Sequence, residues 1–384
     1  MDSRGEPTRL ALQPVVPTPH LPVRVAAPDN LSPAGSISTR LRHVLQRGVS
    51  GVRLVYANWS NQGGRDVPGP DAITISARLE AASTHVVTFG GSARVRLRPG
   101  ETCISDRVEF SAGRGSSFHS VTSVVAEPGG LIPLGPQPNA VDGEVVESPT
   151  QTDSGHGYGP WQILAEADTG APMVPTLLVT GDSNAVGFGD TRGTACHYGW
   201  VRRALESRFP TVNLAVSGAT ARGALDSSSR IRRDALLRWV SPTWAIAALG
   251  TNDLQQGGPT LVEMQEVLQR HWSDLGGLGV QVVGCTIPPV TVSVDGWRTA
   301  NGQQPTPGAA ERDALNAWIR SRPAPLAATL DLAAALCDPA SPQRWRPGLT
   351  DDGLHPNRRG HATVARAVLS SQAMADLGRR AAGI

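Results

Sequence analysis

The sequence contains no lysine, so its 35 basic residues are all arginine, and 33 acidic residues leave a net charge of only +2. The arginines are spread along the chain among acidic residues and form no long basic run. A nucleic-acid-binding surface usually shows as a concentrated patch of positive charge. Nucleic acid is therefore not an expected partner.

Cysteine is scarce, and the four residues Cys103, Cys196, Cys285 and Cys337 lie far apart. Because no Cys-x-x-Cys pair occurs, neither a zinc knuckle nor a thioredoxin-type site is expected. A disulfide cannot be assigned from this spacing, and free buried thiols are the simpler interpretation. We expect no metal and no cofactor.

Long apolar runs are also missing. No stretch approaches the roughly 18 apolar residues of a membrane span, and Met1–Pro7 lacks the apolar core of a signal peptide. We expect a soluble protein without a membrane span, and an extracellular or virion-associated location would require another export route.

Residues 1–165 show two different sequence patterns. Residues 1–35 are rich in proline without helical periodicity, which predicts an extended or disordered arm. Residues 36–165 contain short alternating segments separated by turn clusters such as Asn61–Gly64. This pattern predicts an antiparallel β-sandwich accessory domain. Its clearest segments are Val52–Ala57, Ala72–Ala77, His85–Phe89 and Ala93–Arg98.

Residues 172–384 instead alternate buried strands with amphipathic helices, which predicts a parallel sheet between two helical layers. The predicted strands are 176–180, 212–216, 244–249, 279–285 and 328–333. The predicted helices are 198–209, 229–240, 260–275, 308–321 and 357–377.

Four polar clusters lie in the loops of this half. They are Gly181–Asn184, Ser217–Gly218, Gly250–Asp253 and Asp351–Asn357. The first three directly follow predicted strands. Binding sites of open parallel sheets form beyond the carboxyl ends of the strands. The clusters are therefore the candidate functional site.

In these clusters the chain resembles the SGNH hydrolases, or GDSL-type esterases, over roughly 172–370. The four blocks of that family correspond to Gly181-Asp182-Ser183, Asn213-Leu214-Ala215-Val216-Ser217-Gly218, Gly250-Thr251-Asn252-Asp253 and Asp352-Gly353-Leu354-His355-Pro356. Asn184 replaces the leucine common after the serine. The resemblance implies a three-layer α/β/α, flavodoxin-like domain.

The resemblance also implies roles for individual residues. Ser183 would be the nucleophile, His355 its general base, and Asp352 the acid that orients the imidazole. The backbone N–H groups of Ser183 and Gly218 and the side-chain amide of Asn252 would form the oxyanion hole.

Other polar residues near the four blocks compete for these roles. Asp182 and Asp351 compete with Asp352 for the role of acid, although the family spacing favours Asp352. Asp253 and Asp182 suit structural hydrogen bonds, and His361 suits a surface or packing position.

Two aromatic residues are candidates for the substrate pocket. Trp297 lies in a loop and would either stack on a sugar face or serve in packing. His197 follows Ser183 by 14 residues and is a second candidate for the pocket border.

We expect a serine esterase that acts on small acyl groups, with an acetylated polysaccharide as one candidate substrate. A lysophospholipase or thioesterase is the enzymatic alternative. A glycan-binding virion or surface protein that carries an SGNH module is the alternative from another class. The sequence does not determine the oligomeric state.

Overall fold

The computed structural model describes residues 12–18, 24–26, 36–136, 143–147, 156–166, 174–190, 198–255 and 259–381. Up to residue 166, the described chain folds into antiparallel strands. In chain order these are β1 (Leu12–Pro14), β2 (Arg24–Ala26), β3 (Ser36–Val44), β4 (Val49–Ala57), β5 (Trp59–Gln62), β6 (Arg65–Pro68), β7 (Ile73–Glu80), β8 (Thr84–Val87), β9 (Val95–Leu97), β10 (Thr102–Ile104), β11 (Val108–Ala112), β12 (Ser117–Ala126), β13 (Ile132–Pro136), β14 (Gly143–Glu147), β15 (His156–Gly157) and β16 (Gln162–Glu166).

Two larger sheets form the predicted sandwich. One has the order β14-β3-β12-β7-β8, with β9 paired to β7, and the other has the order β1-β16-β4-β10, with β11 paired to β4. Strand β7 buries every second residue, Ile73, Ile75, Ala77 and Leu79, against the facing sheet. This period of two is the alternation that the sequence predicts, because successive side chains of a strand point to opposite faces.

Strand β4 is buried on both faces. Val52, Leu54 and Tyr56 belong to the sandwich core, whereas Val55 and Ala57 pack into the core of the following α/β domain. The second sheet of the sandwich is therefore the surface on which the two parts of the chain pack together.

The structure describes part of the predicted extended or disordered arm at residues 1–35, and this part forms two short strands. Leu12–Pro14 pairs with β16 as an edge strand, and Arg24–Ala26 pairs with β13. The Leu12 side chain is buried in the core between the two domains, and the Leu12 N–H donates to the Trp239 carbonyl. Burial of apolar side chains holds this proline-rich segment in place. The rest of 1–35 lies outside the described residues, apart from 15–18.

From residue 174 onward, strands alternate with helices. In chain order these elements are β17 (Leu177–Gly181), α1 (Ser183–Val186), α2 (Gly199–Val201) with a π-helical turn at Arg202–Glu206, β18 (Thr211–Asn213), α3 (Ala221–Ala224), α4 (Ser227–Leu236), β19 (Trp244–Ala248), α5 (Thr251–Gln255), α6 (Leu261–Gly276), β20 (Gln281–Cys285), β21 (Thr291–Ser293), β22 (Gln303–Pro305), α7 (Ala309–Arg320), β23 (Leu326–Leu330), α8 (Leu332–Leu336), β24 (Cys337–Asp338), β25 (Ser341–Trp345), α9 (Arg358–Leu369) and α10 (Gln372–Ala381).

The central sheet is parallel and has the order β18-β17-β19-β20-β23. Its residues alternate between two cores: Leu178 packs on one side with α6 and α7, whereas Leu177 and Val179 pack on the other with α9 and α10. This is the predicted three-layer α/β/α architecture with flavodoxin-like strand order. In that order the ligand crevice lies beyond the carboxyl ends of the strands, at the switch point between β17 and β19.

The helix predicted at 357–377 is two helices, α9 and α10. The Ser371 hydroxyl accepts a hydrogen bond from the Met374 backbone N–H at 3.3 Å, which is a helix N-cap. The chain therefore restarts a helix at this point. Among the described residues, no helix combines the length and the apolar character needed to cross a membrane.

Candidate active site

Ser183 is the first residue of α1, directly after β17. The Asp182 carboxylate caps this helix by accepting a hydrogen bond from the Asn184 backbone N–H at 2.9 Å. Gly181 fits the tight turn because a Cβ at that position would lie 2.4 Å from the Ala185 Cβ. The strand-to-helix turn thus holds the Ser183 side chain at the carboxyl end of the sheet.

His355 and Asp352 complete a chain of hydrogen bonds that begins at Ser183. The Ser183 Oγ lies 2.8 Å from the His355 Nε2, and the His355 Nδ1 lies 2.7 Å from the Asp352 Oδ2. Because a carboxylate only accepts hydrogen bonds, the His355 Nδ1 carries the proton and its Nε2 accepts from the Ser183 hydroxyl. This arrangement can take up the serine proton.

The Asp352 carboxylate is also held by the backbone. Its Oδ1 accepts the N–H groups of Leu354 at 2.9 Å and His355 at 2.8 Å. Partial burial favours the neutral acid, but the hydrogen bonds from the His355 imidazole and from these two N–H groups outweigh it and hold the pKa of Asp352 below its usual range. Asp352 therefore stays ionised beside His355.

The other candidate acids are engaged elsewhere. The Asp351 Oδ1 accepts a hydrogen bond from the Asn357 side-chain amide at 2.8 Å. Burial raises the pKa of Asp182 to about 6, while the Asn184 backbone N–H acts in the opposite direction. Asp253 accepts the backbone N–H groups of Ala221 at 2.8 Å and Arg222 at 3.1 Å, and so anchors the start of α3.

Two of the three predicted oxyanion donors, Gly218 and Asn252, follow the two strands that flank β17. Gly218 comes after β18 and has a φ of 82°, a conformation that favours glycine. Asn252 lies in α5 after β19, and its side-chain amide donates to the Ala219 carbonyl at 2.9 Å. An amide nitrogen carries two hydrogens, so this bond leaves the second hydrogen for another acceptor.

Trp297 lies against the segment that carries Asp352 and His355. Its indole N–H donates to the Thr291 Oγ1 at 3.0 Å, and its ring lies 2.8 Å from where a Cβ on Gly353 would be. The Trp297 side chain is half-buried and engaged in packing. His197, the other predicted pocket residue, and Cys196 lie outside the described residues.

Phe188 is a site residue that sequence reasoning missed. Its ring centroid lies 4.6 Å from that of His355, and 52% of the residue is exposed. The Phe188 carbonyl accepts the Nε2–H of His361 at 2.9 Å, while the His361 Nδ1 accepts the Trp200 backbone N–H at 3.2 Å. His361 is therefore a buried packing residue, and burial lowers its pKa to about 4.

The described cysteines Cys103, Cys285 and Cys337 are free thiols. Burial raises the pKa of Cys103 to about 12 and that of Cys337 to about 11. Within the described ranges, no group of three or more His, Cys, Asp or Glu side chains is arranged to hold a metal ion.

Residues 179–363 match the model of the GDSL-like lipase/acylhydrolase family. A comparison with curated proteins gave no match. Solved structures similar to this chain include a GDSL-like lipase from Bacteroides thetaiotaomicron, with 15% identity, 55% of this chain and 92% of that chain covered, and a TM-score of 0.40. A catalytic mutant of an acetylxylan esterase from Geobacillus stearothermophilus has 18% identity, 52% and 94% coverage, and a TM-score of 0.36.

A psychrotrophic esterase from Pseudoalteromonas sp. has 20% identity, with 54% of this chain and 99% of that chain covered, and a TM-score of 0.32.

The family match spans the segments that carry Ser183, Gly218, Asn252, Asp352 and His355. The segment 179–363 is therefore a domain of the GDSL-like lipase/acylhydrolase family, and the chain carries this hydrolase domain.

Proposed function

We propose that the protein is a serine esterase that hydrolyses carboxylic esters through an acyl-enzyme. The observation that supports this most directly is the chain of hydrogen bonds from Ser183 through His355 to Asp352, at 2.8 Å and 2.7 Å. A serine hydroxyl becomes a competent nucleophile when a neighbouring base takes its proton.

In the first half-reaction, the Ser183 Oγ attacks the ester carbonyl carbon while its proton moves to the His355 Nε2. The carbonyl oxygen becomes negative and is stabilised by the backbone N–H groups of Ser183 and Gly218 and the amide of Asn252. The bond to the leaving alcohol then breaks, and His355 returns the proton to the alcohol oxygen. Asp352 stabilises the imidazolium that exists between these steps.

In the second half-reaction, His355 takes a proton from water as the water oxygen attacks the acyl carbon. The bond between that carbon and the Ser183 Oγ breaks, and the Oγ takes the proton back from His355. The products are one carboxylic acid and one alcohol, and the enzyme is regenerated.

For the substrate, we propose a small acyl group, with an acetyl group on a carbohydrate as the first candidate. Only 8% of Ser183 is exposed, which favours an acyl group that needs little space. The β-sandwich supports a carbohydrate as the alcohol, because its β5–β6 hairpin contacts the segment of Ser217 and Gly218 and so borders the site. The exposed Phe188 ring against His355 favours the second candidate, a lipid or thioester with a longer apolar acyl chain.

We also propose the division into a β-sandwich domain at 36–165 and a hydrolase domain at 172–384. The supporting observation is that the sandwich core and the α9–α10 side of the parallel sheet form separate clusters of buried side chains.

The test is hydrolysis of p-nitrophenyl acetate, butyrate and octanoate and of acetylated and lysophospholipid substrates by the purified protein. We expect the highest kcat/KM on the acetate and a loss of at least about 10³-fold in Ser183→Ala, which removes the nucleophile. Normal turnover by a folded Ser183→Ala variant would overturn the proposal. A preference for the octanoate would favour the lipid substrate instead.

A further inference from the structure

The β5–β6 hairpin of the sandwich domain reaches the segment that carries Gly218. Its two-residue turn, Gly63–Gly64, has φ angles of 58° and 78°, and two consecutive positive φ angles are typical of a tight hairpin turn. The hairpin contacts the hydrolase domain through Asn61 before the turn, Gly64 in it, and Arg65 and Asp66 after it.

Gly64 and Gly218 meet backbone to backbone. A Cβ on Gly64 would lie 2.2 Å from the Gly218 carbonyl oxygen, and a Cβ on Gly218 would lie 3.5 Å from the Gly64 Cα. A side chain at position 64 would therefore displace the peptide between Gly218 and Ala219, and would shift the Gly218 backbone with it. A Cβ on Gly63 would meet no atom within 4 Å.

Asn61 binds the same segment through a hydrogen bond. Its side-chain amide donates to the Ser217 carbonyl oxygen at 3.1 Å. The Ser217 carbonyl and the Gly218 N–H belong to one peptide unit, which is planar and rigid. In a trans peptide these two groups point in opposite directions, so fixing the direction of the carbonyl also fixes the direction of the N–H. A hydrogen bond to the carbonyl further polarises the N–H.

The hairpin itself is anchored by a buried ion pair. The Arg232 Nε lies 2.8 Å from the Asp66 Oδ2, and the two side chains are only 4% and 10% exposed. The Arg232 Nη2 also donates to the Leu214 carbonyl at 2.6 Å, and its guanidinium lies 5.4 Å from the centre of the Trp161 ring. Arg232 thus joins the hairpin, the sandwich and the segment after β18.

We propose that Asn61 and Gly64 of the sandwich domain are positioning residues of the esterase site, which orient the Gly218 N–H towards the oxyanion. The inference rests on the proposed function, because it assigns these residues a role in the same reaction. It makes the sandwich a structural part of the active site: its hairpin sets the geometry of one oxyanion donor.

The experiment compares Asn61→Asp, Gly64→Ala and the control Gly63→Ala in the full chain. Asn61→Asp replaces the amide donor with a carboxylate of the same shape. Gly64→Ala and Gly63→Ala both place a Cβ on a residue with positive φ, but only the Cβ at position 64 would clash with Gly218. The measurements are kcat and KM on p-nitrophenyl acetate, inhibition by a boronic acid that mimics the tetrahedral intermediate, and thermal unfolding.

For Asn61→Asp and Gly64→Ala we expect kcat to fall about tenfold while KM changes less than about threefold. This is a smaller loss than the 10²–10³-fold typical of removing an oxyanion donor. Boronic acid affinity should fall by the same factor as kcat, and Gly63→Ala should stay within twofold of wild type. Assays are run well below the unfolding temperature of each variant. If Gly64→Ala does not fold, Asn61→Asp alone tests the inference.

Two results would overturn the inference: folded Asn61→Asp with unchanged kcat and boronic acid affinity, or equal losses in the two glycine variants. An inactive wild type or an active Ser183→Ala variant would instead overturn the proposed function.

Discussion

Asp352 is distinguished from its neighbour Asp351 by what each carboxylate binds. Asp352 accepts the imidazole N–H of His355 together with two backbone N–H groups, whereas Asp351 accepts the Asn357 amide. Because of this difference, substituting Asp351 and Asp352 one at a time tests which carboxylate orients His355.

Asp352→Asn should lower kcat by about 10²–10⁴-fold, because an amide cannot stabilise the imidazolium and favours the wrong tautomer. Asp351→Asn should lower kcat less than about threefold. Steady-state kinetics on p-nitrophenyl acetate checks both values. Similar losses in the two variants would show that Asp352 has no special place beside His355.

His271 predicts a pH-dependent stability. It is buried in α6, its Nε2 lies 3.1 Å from the Thr180 Oγ1, and burial lowers its pKa from 6.5 to about 4. Asp274 raises this pKa and Arg233 lowers it, both by less than burial does. Between pH 6.5 and pH 4, His271 binds a proton in the unfolded chain but not in the folded chain. Acidification through this range therefore destabilises the fold.

The stability contributed by neutral His271 is thus complete above pH 6.5 and is lost as the pH falls towards 4. The wild-type free energy of unfolding should fall relative to that of His271→Gln by about 1.5 kcal/mol between pH 6.5 and 5. Urea unfolding of both proteins at several pH values measures this difference. A difference that does not change with pH would contradict the prediction.

The site residues divide into those with a local sequence signal and those without one. Ser183, Gly218 and Asn252 each follow a strand that the sequence predicts, so their common edge of the sheet follows from the order of the elements. Asn61 and Phe188 carry no such signal. Asn61 acts on Ser217 across 156 positions of sequence, and nothing near Asn61 in the chain indicates that contact.

At the scale of elements, the β21–β22 hairpin and the loop between its strands support the segment from Asp352 to His355. The Thr291 N–H donates to the Gly353 carbonyl at 3.0 Å, and the Trp297 indole N–H donates to the Thr291 hydroxyl at 3.0 Å. The loop therefore holds the middle of the acid–base segment, and Trp297 packs against Gly353.

Trp297→Ala should lower kcat several-fold on p-nitrophenyl acetate and reduce the unfolding temperature, because the lost packing loosens this segment. Val294→Ala is the matched control, since Val294 lies in the same loop and is 95% exposed. A Trp297→Ala variant with normal kcat on p-nitrophenyl acetate but a raised KM on acetylated polysaccharide would contradict the packing role. That result would instead support sugar stacking.

Element type was predictable where the apolar period was clear, as in β7 and α6, or where an apolar run was continuous, as in β19. Boundaries were less so. A continuous amphipathic pattern over 357–377 hid the break at Ser370–Ser371, because serine is compatible with a helix interior as well as with a cap. The short helices α1, α3 and α5 are too brief to show a period, and α1 and α3 begin at the capping side chains of Asp182 and Thr220.

For the whole molecule, the interface between sandwich and hydrolase domains is the main feature beyond the sequence prediction. The sequence predicts the strand at Val52–Ala57, but it does not show what covers the face formed by Val55 and Ala57. The partner surface comes from Leu214, Ala219 and other residues far along the chain. Packing between segments so far apart in the chain leaves no pattern in the local sequence.

The buried Asp66–Arg232 pair is the charged centre of this interface. Asp66→Ala should lower the free energy of unfolding by about 3–5 kcal/mol, because it leaves the Arg232 guanidinium buried without its counter-ion. Arg65→Ala, which breaks the exposed pair with Asp226, should cost no more than about 1 kcal/mol. Urea unfolding measures both, and equal effects would argue against a buried interface.

The proposed esterase reaction requires Ser183 to be the nucleophile, and reaction with diethyl p-nitrophenyl phosphate tests this directly. We predict release of one equivalent of p-nitrophenolate per chain, loss of esterase activity, and a single diethyl phosphoryl adduct that peptide mass spectrometry assigns to Ser183. The adduct should be absent in Ser183→Ala and should form much more slowly in His355→Ala. An adduct on another residue, or full esterase activity in the labelled protein, would contradict the account.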